Sequence, residues 1–206
     1  MVEQIAVGGF DKNFAYIIHD GEECAAVDPS GDVEKMLKVI RKKNLRPVGI
    51  LVTHTHFDHI DGIDEFRKSY PVPIYMHKNA KERVKAHDDI KKIVKEGDEI
   101  DVGTIKVQVM YTPGHIDDAV CFYLKKENAL ISGDTLFVEG CGRVNSEADA
   151  EALYKSLQRL KELPDDTEVF PGHDYGSMPH STIAHEKEKN RFFLAENLEA
   201  FKKERL

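Results

Sequence analysis

The chain has 206 residues, 41% of them hydrophobic, with 29 Lys and Arg against 37 Asp and Glu for a formal net charge of −8. That length favours one compact domain, residues 1–206, able to bury a full core. The acidic balance speaks against nucleic acid as a partner, no apolar run is long enough to span a membrane, and the first residues lack a signal-peptide pattern.

In chain order, strand-like segments mark Glu3–Val7, Asn13–His19 and Cys24–Val27. After Gly31, the residues Val33, Leu37, Val39 and Ile40 supply the apolar face of a helix. Val48-Gly-Ile-Leu-Val52 is a short apolar run and reads as a buried strand. It leads into Thr53-His-Thr-His-Phe-Asp-His-Ile-Asp-Gly62, where His54, His56, Asp58 and His59 crowd into six residues. From His59 to Tyr70, Ile60, Ile63 and Phe66 recur at helical spacing. A short strand over Ile74–Met76 and a charged helix near Asn79–His87 follow. The second half predicts strands near 104–111, 119–125, 128–132 and 167–171, a helix over roughly Ala148–Leu163, and one or two helices at the end. Strands and helices interleaved in both halves predict two sheets face to face with helices outside, in the α/β (α+β) class.

Four metal-ligand side chains in six residues are hard to explain as packing, and imidazole with carboxylate suits zinc or iron. An extended turn sends His54 and His56, two residues apart, to one side. Asp58 and His59, in a first helical turn, face a second point. Two metal positions about 3.5–4 Å apart fit that arrangement. Three further candidates each follow a strand and a tight Gly turn: His115 in Pro113-Gly-His, Asp134 in Ser132-Gly-Asp, and His173 in Pro171-Gly-His. Ends of neighbouring strands converge, so these distant residues can meet. The other histidines, His19, His77, His87, His180 and His185, have no such setting.

Cys24, Cys121 and Cys141 are widely spaced and give neither a zinc pattern nor a disulfide framework, which favours a reducing cytoplasm. Cys141 reads as a packed thiol, since no basic partner is evident. Asp61, Asp117 and Asp118 read as solvated, capping or outer-shell groups. Arg143 and Tyr175 are substrate-binding candidates, with ordinary surface residues as the competing reading.

The run His-x-His-x-Asp-His over 54–59, with the later His115, Gly133-Asp134 and Gly172-His173, resembles the pattern of the metallo-β-lactamase superfamily, from Val2 to about Phe193. Segments 133–143 and 163–175 are similar to the glyoxalase II (hydroxyacylglutathione hydrolase) group. Segment 181–190 is similar to the short relatives that include the persulfide dioxygenases. The resemblance implies a four-layer αββα sandwich with two divalent metal ions, zinc first, iron or manganese as alternatives, at one edge between the sheets. It implies that His54, His56 and His115 form one metal site, that Asp58, His59 and His173 form the other, and that Asp134 bridges them, Asp58 and Asp134 being the catalytic carboxylates. It also implies that Arg143 and Tyr175 help bind the thiol carrier. Asn145 departs from the aromatic residue usual in that group.

The chemistry expected is attack on a carbonyl by a hydroxide that two cations generate, lowering the pKa of water from about 15.7 toward 7. No strong general acid for the leaving group is evident. A thiolate leaves with a pKa near 8.5, whereas an amine must be protonated as it departs, so small thioesters of the S-lactoylglutathione type fit better than lactams. The rival reading is a persulfide dioxygenase with one iron held through His54, His115 and Asp134. A lactone or other ester hydrolase on the same site is the second alternative. A flavodiiron reductase is disfavoured by His56, where that group carries a glutamate. A non-enzymatic module is disfavoured because no ligand is lost.

Only 33 residues follow His173, room for about two helices and not for the added helical domain of full-length glyoxalase II. Ile183, Phe192, Phe193, Leu194, Leu198 and Phe201 predict a helical tail packed on the sandwich. That tail is expected to leave an open cleft without further basic contacts, and so weak selectivity for glutathione.

Overall fold

A computed structural model describes all 206 residues. The first half runs β1 (Val2–Gly8), β2 (Asn13–His19), β3 (Glu23–Val27), α1 (Val33–Lys43), β4 (Arg46–Leu51), α2 (Phe57–Ile60), α3 (Ile63–Ser69), β5 (Ile74–His77) and β6 (Lys91–Val94). The second half runs β7 (Glu99–Val102), β8 (Ile105–Tyr111), β9 (Val120–Leu124), β10 (Ala129–Gly133), β11 (Leu136–Phe137), β12 (Gly140–Cys141), α4 (Glu147–Lys161), β13 (Glu168–Pro171), β14 (Ser181–Thr182), α5 (Ile183–Lys189) and α6 (Leu198–Arg205).

Two mixed six-stranded sheets form, in the orders β1-β2-β3-β4-β5-β6 and β14-β13-β10-β9-β8-β7. Alternation along the strands sorts side chains into layers. In β2, Ala15 and Ile17 pack under α1 with Val33, Met36, Leu37 and Ile40. Phe14, Tyr16 and Ile18 point the other way, meeting Val107, Val109, Phe122 and Ile131 of the second sheet. In β9, Cys121 and Tyr123 turn outward onto Leu153, Leu157 and Leu160 of α4. The result is the four-layer αββα sandwich expected, with helices flanking both sheets. No helix is long and apolar enough to cross a membrane.

The helix ends have local causes. In α1, Val33, Met36, Leu37 and Ile40 make one buried stripe, and Asn44 closes it in the left-handed region at φ +53°, a position Asn tolerates. In α4, Ser146 accepts from the Asp149 amide at 3.1 Å and donates to its carboxylate at 2.7 Å, a capping arrangement.

Two expectations are corrected, and two strands are new. The helix from His59 to Tyr70 is two short helices, α2 and α3, broken at Gly62. The Gly62 amide donates to the Pro29 carbonyl at 3.1 Å, and a Cβ there would sit 2.4 Å from Val33, so the chain bends to stay in contact with α1. The charged helix near Asn79–His87 is absent as such. That stretch holds one 3₁₀ turn, Lys78–Ala80, capped by the His77 ring, and runs into a second at Asp88–Ile90. Its apolar residues are too few to bury a helical face. The edge strands β6 and β7 have no forerunner in the sequence reading, because charged residues alternate through them.

The tail is helical and packed, as expected. Ile183, Phe192, Phe193 and Phe201 join the α4 layer, while two predicted anchors do not: Leu194 stays exposed and Leu198 is only half-buried. Its anchor is Glu186, fully buried. That carboxylate accepts from the Glu139 amide at 2.8 Å, Asn190 Nδ2 at 2.7 Å and Ser181 Oγ at 2.5 Å. Burial nevertheless pushes its carboxyl above the usual 4.5, against those three donors. The folded state therefore holds this proton more tightly than the unfolded chain. Its stabilising contribution is complete below about pH 4.5 and is lost as pH rises through the folded value. Glu186→Gln should thus gain on the wild type as pH rises. Urea denaturation at pH 5 and pH 7.5 reads the difference, and parallel pH profiles for the two proteins would show that Glu186 does not titrate in this way.

Candidate metal centre

Five segments deliver the motif residues to one edge of the sandwich. His54 and His56 follow β4, Asp58 and His59 lie in α2, and His115, Asp134 and His173 follow β8, β10 and β13. A pairing of Asn13 with His173 and a 2.9 Å bond from the Phe14 amide to the Gly172 carbonyl tie the two sheets together there. Gly172 is required by close approach: a Cβ would stand 2.2 Å from Asp134 Oδ1.

The seven side chains form two clusters, His54, His56, His115 with Asp134, and Asp58, His59 with His173. In the first, His56 Nδ1 faces His54 Nε2 at 3.2 Å and His115 Nε2 at 2.9 Å. In the second, His59 Nε2 faces His173 Nε2 at 3.2 Å. Asp134 reaches both. Its Oδ2 lies 3.4 Å from His115 and 3.2 Å from His173, and its Oδ1 lies 3.4 Å from His59. Oδ1 is buried and has no hydrogen-bond donor.

The outer nitrogens explain why the inner ones converge. His59 Nδ1 donates to Asp28 Oδ2 at 3.0 Å, His115 Nδ1 to the Arg143 carbonyl at 2.9 Å, and His173 Nδ1 to the Asp11 carbonyl at 2.8 Å. His54 Nδ1 donates to Thr53 Oγ1 at 3.1 Å, and Thr53 in turn donates to Asp28. Each of these four rings thereby carries its proton outward and aims the Nε2 lone pair inward, the tautomer that metal ligation uses. Asn13 Nδ2 holds the Asp58 carboxylate at 3.0 Å. Converging lone pairs, an acceptor without a donor and a fixed outer shell fit divalent cations in both clusters.

Charge is divided unevenly between the rings. Burial, with His59 alongside, pushes His54 well down. Burial also opposes charge on His59, but Asp134 and Asp28 outweigh it and hold His59 well up, so a cation would have to displace a second proton from this ring. Burial works against ionisation of Asp134, and His59 and His173 outweigh it, keeping the carboxyl far below the usual range. A carboxylate that stays ionised here balances positive charge between the clusters, which is what a cation would require of it.

Asp28, Asn13 and Asp11 carry no motif in the sequence. Asp28 had one available signal: it ends the apolar strand β3 just as Asp134 follows β10. Its φ of +48°, unusual for a residue with a Cβ, is strain held at the site. The remaining candidates fall as follows. Asp61 accepts from the Gly31 amide at 3.2 Å and stays outside both clusters. Cys141 is buried, its thiol pushed up to about 12 by burial. Cys24 and Cys121 are likewise buried and unbonded to one another.

Arg143 and Tyr175 line one cleft of about 310 Å³ with Phe137, Arg191 and Arg205. The Tyr175 ring stacks on His173 at 4.7 Å between centroids, and its hydroxyl donates to Asp11 Oδ2 at 2.5 Å. Two of the three arginines come from the tail. Arg191 pairs with Glu204 at 2.7 Å, while Arg205 Nε is buried with no acceptor. The expected cleft without further basic contacts is therefore corrected: the tail places two guanidinium groups in the lining of this cleft. Phe57, next to His56 in the chain, and Phe10 stand exposed, their rings edge to face at 5.1 Å.

Residues 8–173 match the model of the metallo-β-lactamase superfamily, and the chain belongs to that superfamily of metal-dependent hydrolases, whose members bind divalent metals. It is 40% identical over 169 residues to a hydroxyacylglutathione hydrolase of Francisella tularensis subsp. novicida, covering 80% of this chain and 64% of that protein. The chain thus spans slightly under two thirds of that relative's length. Among solved structures it is similar to ETHE1 from Myxococcus xanthus, with TM-score 0.83 and 31% identity over 98% of this chain and 88% of that one. It is also similar to TTHA1623 in a di-iron-bound form, with TM-score 0.76 and 28% identity over 93% of this chain and 99% of that one.

Proposed function

We propose that this protein is a thioester hydrolase of the glyoxalase II type, acting on small acyl thioesters of an anionic thiol through a two-metal centre. The observation that carries this reading is Asp134, one carboxylate within 3.4 Å of histidines from both clusters, beside a cleft lined by Arg143, Arg191, Arg205 and Tyr175. His54, His56 and His115 would hold one cation, Asp58, His59 and His173 the other, and Asp134 would join them. Cations held there would supply an activated water near neutral pH and polarise the substrate carbonyl.

The chain's own residues do the rest. The outward bonds of His54, His59, His115 and His173 keep each ring from turning, so the centre is preorganised. Asn13 fixes Asp58 with Oδ2 toward the second cluster, 3.6 Å from His173 Nε2 and 3.9 Å from His59 Nε2. Arg143 and the tail arginines attract a carboxylate on the thiol carrier, and Tyr175, stacked on His173, sets the depth of the cleft. The exposed Phe57 and Phe10 rings offer an apolar wall for the acyl group. Tyr175 is committed to Asp11 and is not free to protonate a leaving group, which suits a thiolate. The metal is zinc in this reading, with iron or manganese as alternatives, and three buried thiols suit a reducing cytoplasm.

Arg143→Ala, or Arg205→Ala, should raise KM for a glutathione thioester about tenfold to a hundredfold, the size of one charge-assisted contact. kcat should change little, because a contact remote from the carbonyl contributes mainly uniform binding. A thioester of the same acyl group on an uncharged thiol should show no such change. Oxygen consumption on a persulfide, with no turnover of any thioester, would move the assignment to a dioxygenase.

A further inference from the structure

Thr55 lies between two ligands of the first cluster, and its side chain is bound from the opposite direction. Along an extended chain, residues i and i+2 share one side and the residue between them faces the other. Whatever holds Thr55 therefore fixes the direction in which His54 and His56 point. What holds it is Asp118, only 1% exposed. Asp118 Oδ1 accepts from the Thr55 amide at 3.2 Å, and Oδ2 accepts from the Thr55 hydroxyl.

A carboxylate so buried needs a countercharge. Arg83 supplies it, donating to Asp118 Oδ2 at 2.8 Å and to Asp117 Oδ1 at 2.5 Å. Two further donors converge on the same turn: Asn79 Nδ2 and Tyr111 Oη reach the Asp117 carbonyl at 2.8 Å and 2.9 Å. The turn is the one that begins with His115. One brace thus spans all three histidines of the first cluster. The second cluster has other supports, Asp28, Asn13 and Asp11. Asp28 alone also touches the first side, through Thr53.

We propose that Asp118, paired with Arg83, is a positioning residue that sets the metal affinity of the His54–His56–His115 cluster separately from that of its neighbour. The proposal rests on the reading of these residues as metal ligands. It makes the irregular segment 78–84, which buries little, part of the control of the centre.

The test reads metal affinity by chelator competition with zinc, and ligand geometry by the visible absorption of the cobalt-loaded protein. The His173→Ala background reports the first cluster, and the His56→Ala background the second. Thr55→Val, Asp118→Asn and Arg83→Ala should each weaken zinc at the first cluster about tenfold to a hundredfold, as outer-shell changes do, and alter its cobalt spectrum. They should leave the second cluster within about twofold. Thr55→Ser restores the hydroxyl and should restore the affinity. Melting of the metal-free proteins separates this from general destabilisation. Unchanged affinities with lowered melting temperatures would make the brace merely structural and overturn the proposal, as would equal weakening of both clusters. A wild-type protein that binds no zinc would overturn the reading of the centre, and with it the proposal.

Discussion

Asp134→Ala should lower kcat/KM for a thioester by about a thousandfold, since charge stabilisation worth several kcal/mol is lost and each 1.36 kcal/mol is a factor of ten. Asp134 lies within 3.4 Å of histidines from both clusters, Oδ2 near His115 and His173 and Oδ1 near His59. Alanine leaves five imidazoles with only Asp58 to balance two cations. Metal content should fall from about two ions per chain to one or fewer, because both clusters lose the carboxylate they share. His173→Ala and His59→Ala remove ligands of one cluster only and should leave about one ion, with Asp134 still in place. Elemental analysis after dialysis, on the same samples used for kinetics, gives both quantities. Wild-type protein that saturates at a single ion would remove the binuclear reading, and Asp134→Ala protein with full metal content would remove the bridging role.

Deletion of residues 191–206 should unfold the protein at ambient temperature. Phe192, Phe193 and Phe201 are each 1% exposed or less and pack with Leu153, Leu157 and Leu160 of α4. Burying each contributes about 1.5–3 kcal/mol, so together they approach the whole stability of an ordinary domain, about 5–15 kcal/mol. Phe193→Ala alone should cost about 3–5 kcal/mol, measured by urea denaturation and as a fall in Tm. A truncated protein that unfolds cooperatively within about 1 kcal/mol of the full chain would show that the tail only recognises substrate.

The metal ligands were legible because four of them crowd into residues 54–59 after an apolar strand, and His115, Asp134 and His173 each follow a strand and a glycine, patterns that survive without knowledge of the tertiary fold. The layers were legible for the same reason: β2, β4, β9 and β10 are apolar on both faces. What stayed hidden depends on contacts between distant segments. Asp28 becomes meaningful only when β3 and β4 lie parallel and bring it under Thr53 and His59. Asp118 was read as a capping or outer-shell group, but its partner Arg83 sits in a stretch misread as a helix. Arg191 and Arg205 carried no signal in the sequence, because nothing local says that the tail brings them into one cleft with Arg143. The strands β6 and β7 were masked by their charged residues, and edge strands commonly carry such charge.

Glu186 has a further consequence for how the molecule moves. Through one carboxylate it joins the tail, at Ser181 and Asn190, to the Glu139 amide in the wall of the arginine cleft. Loop and tail are therefore not independent, and a ligand that quiets one quiets the other. Linkage makes the effect mutual: occupancy of the cleft and closure of the tail must favour each other by the same factor. Slow amide exchange at Phe192 and Phe193, more than ten residues from any metal ligand in sequence, would then report whether the cleft is filled.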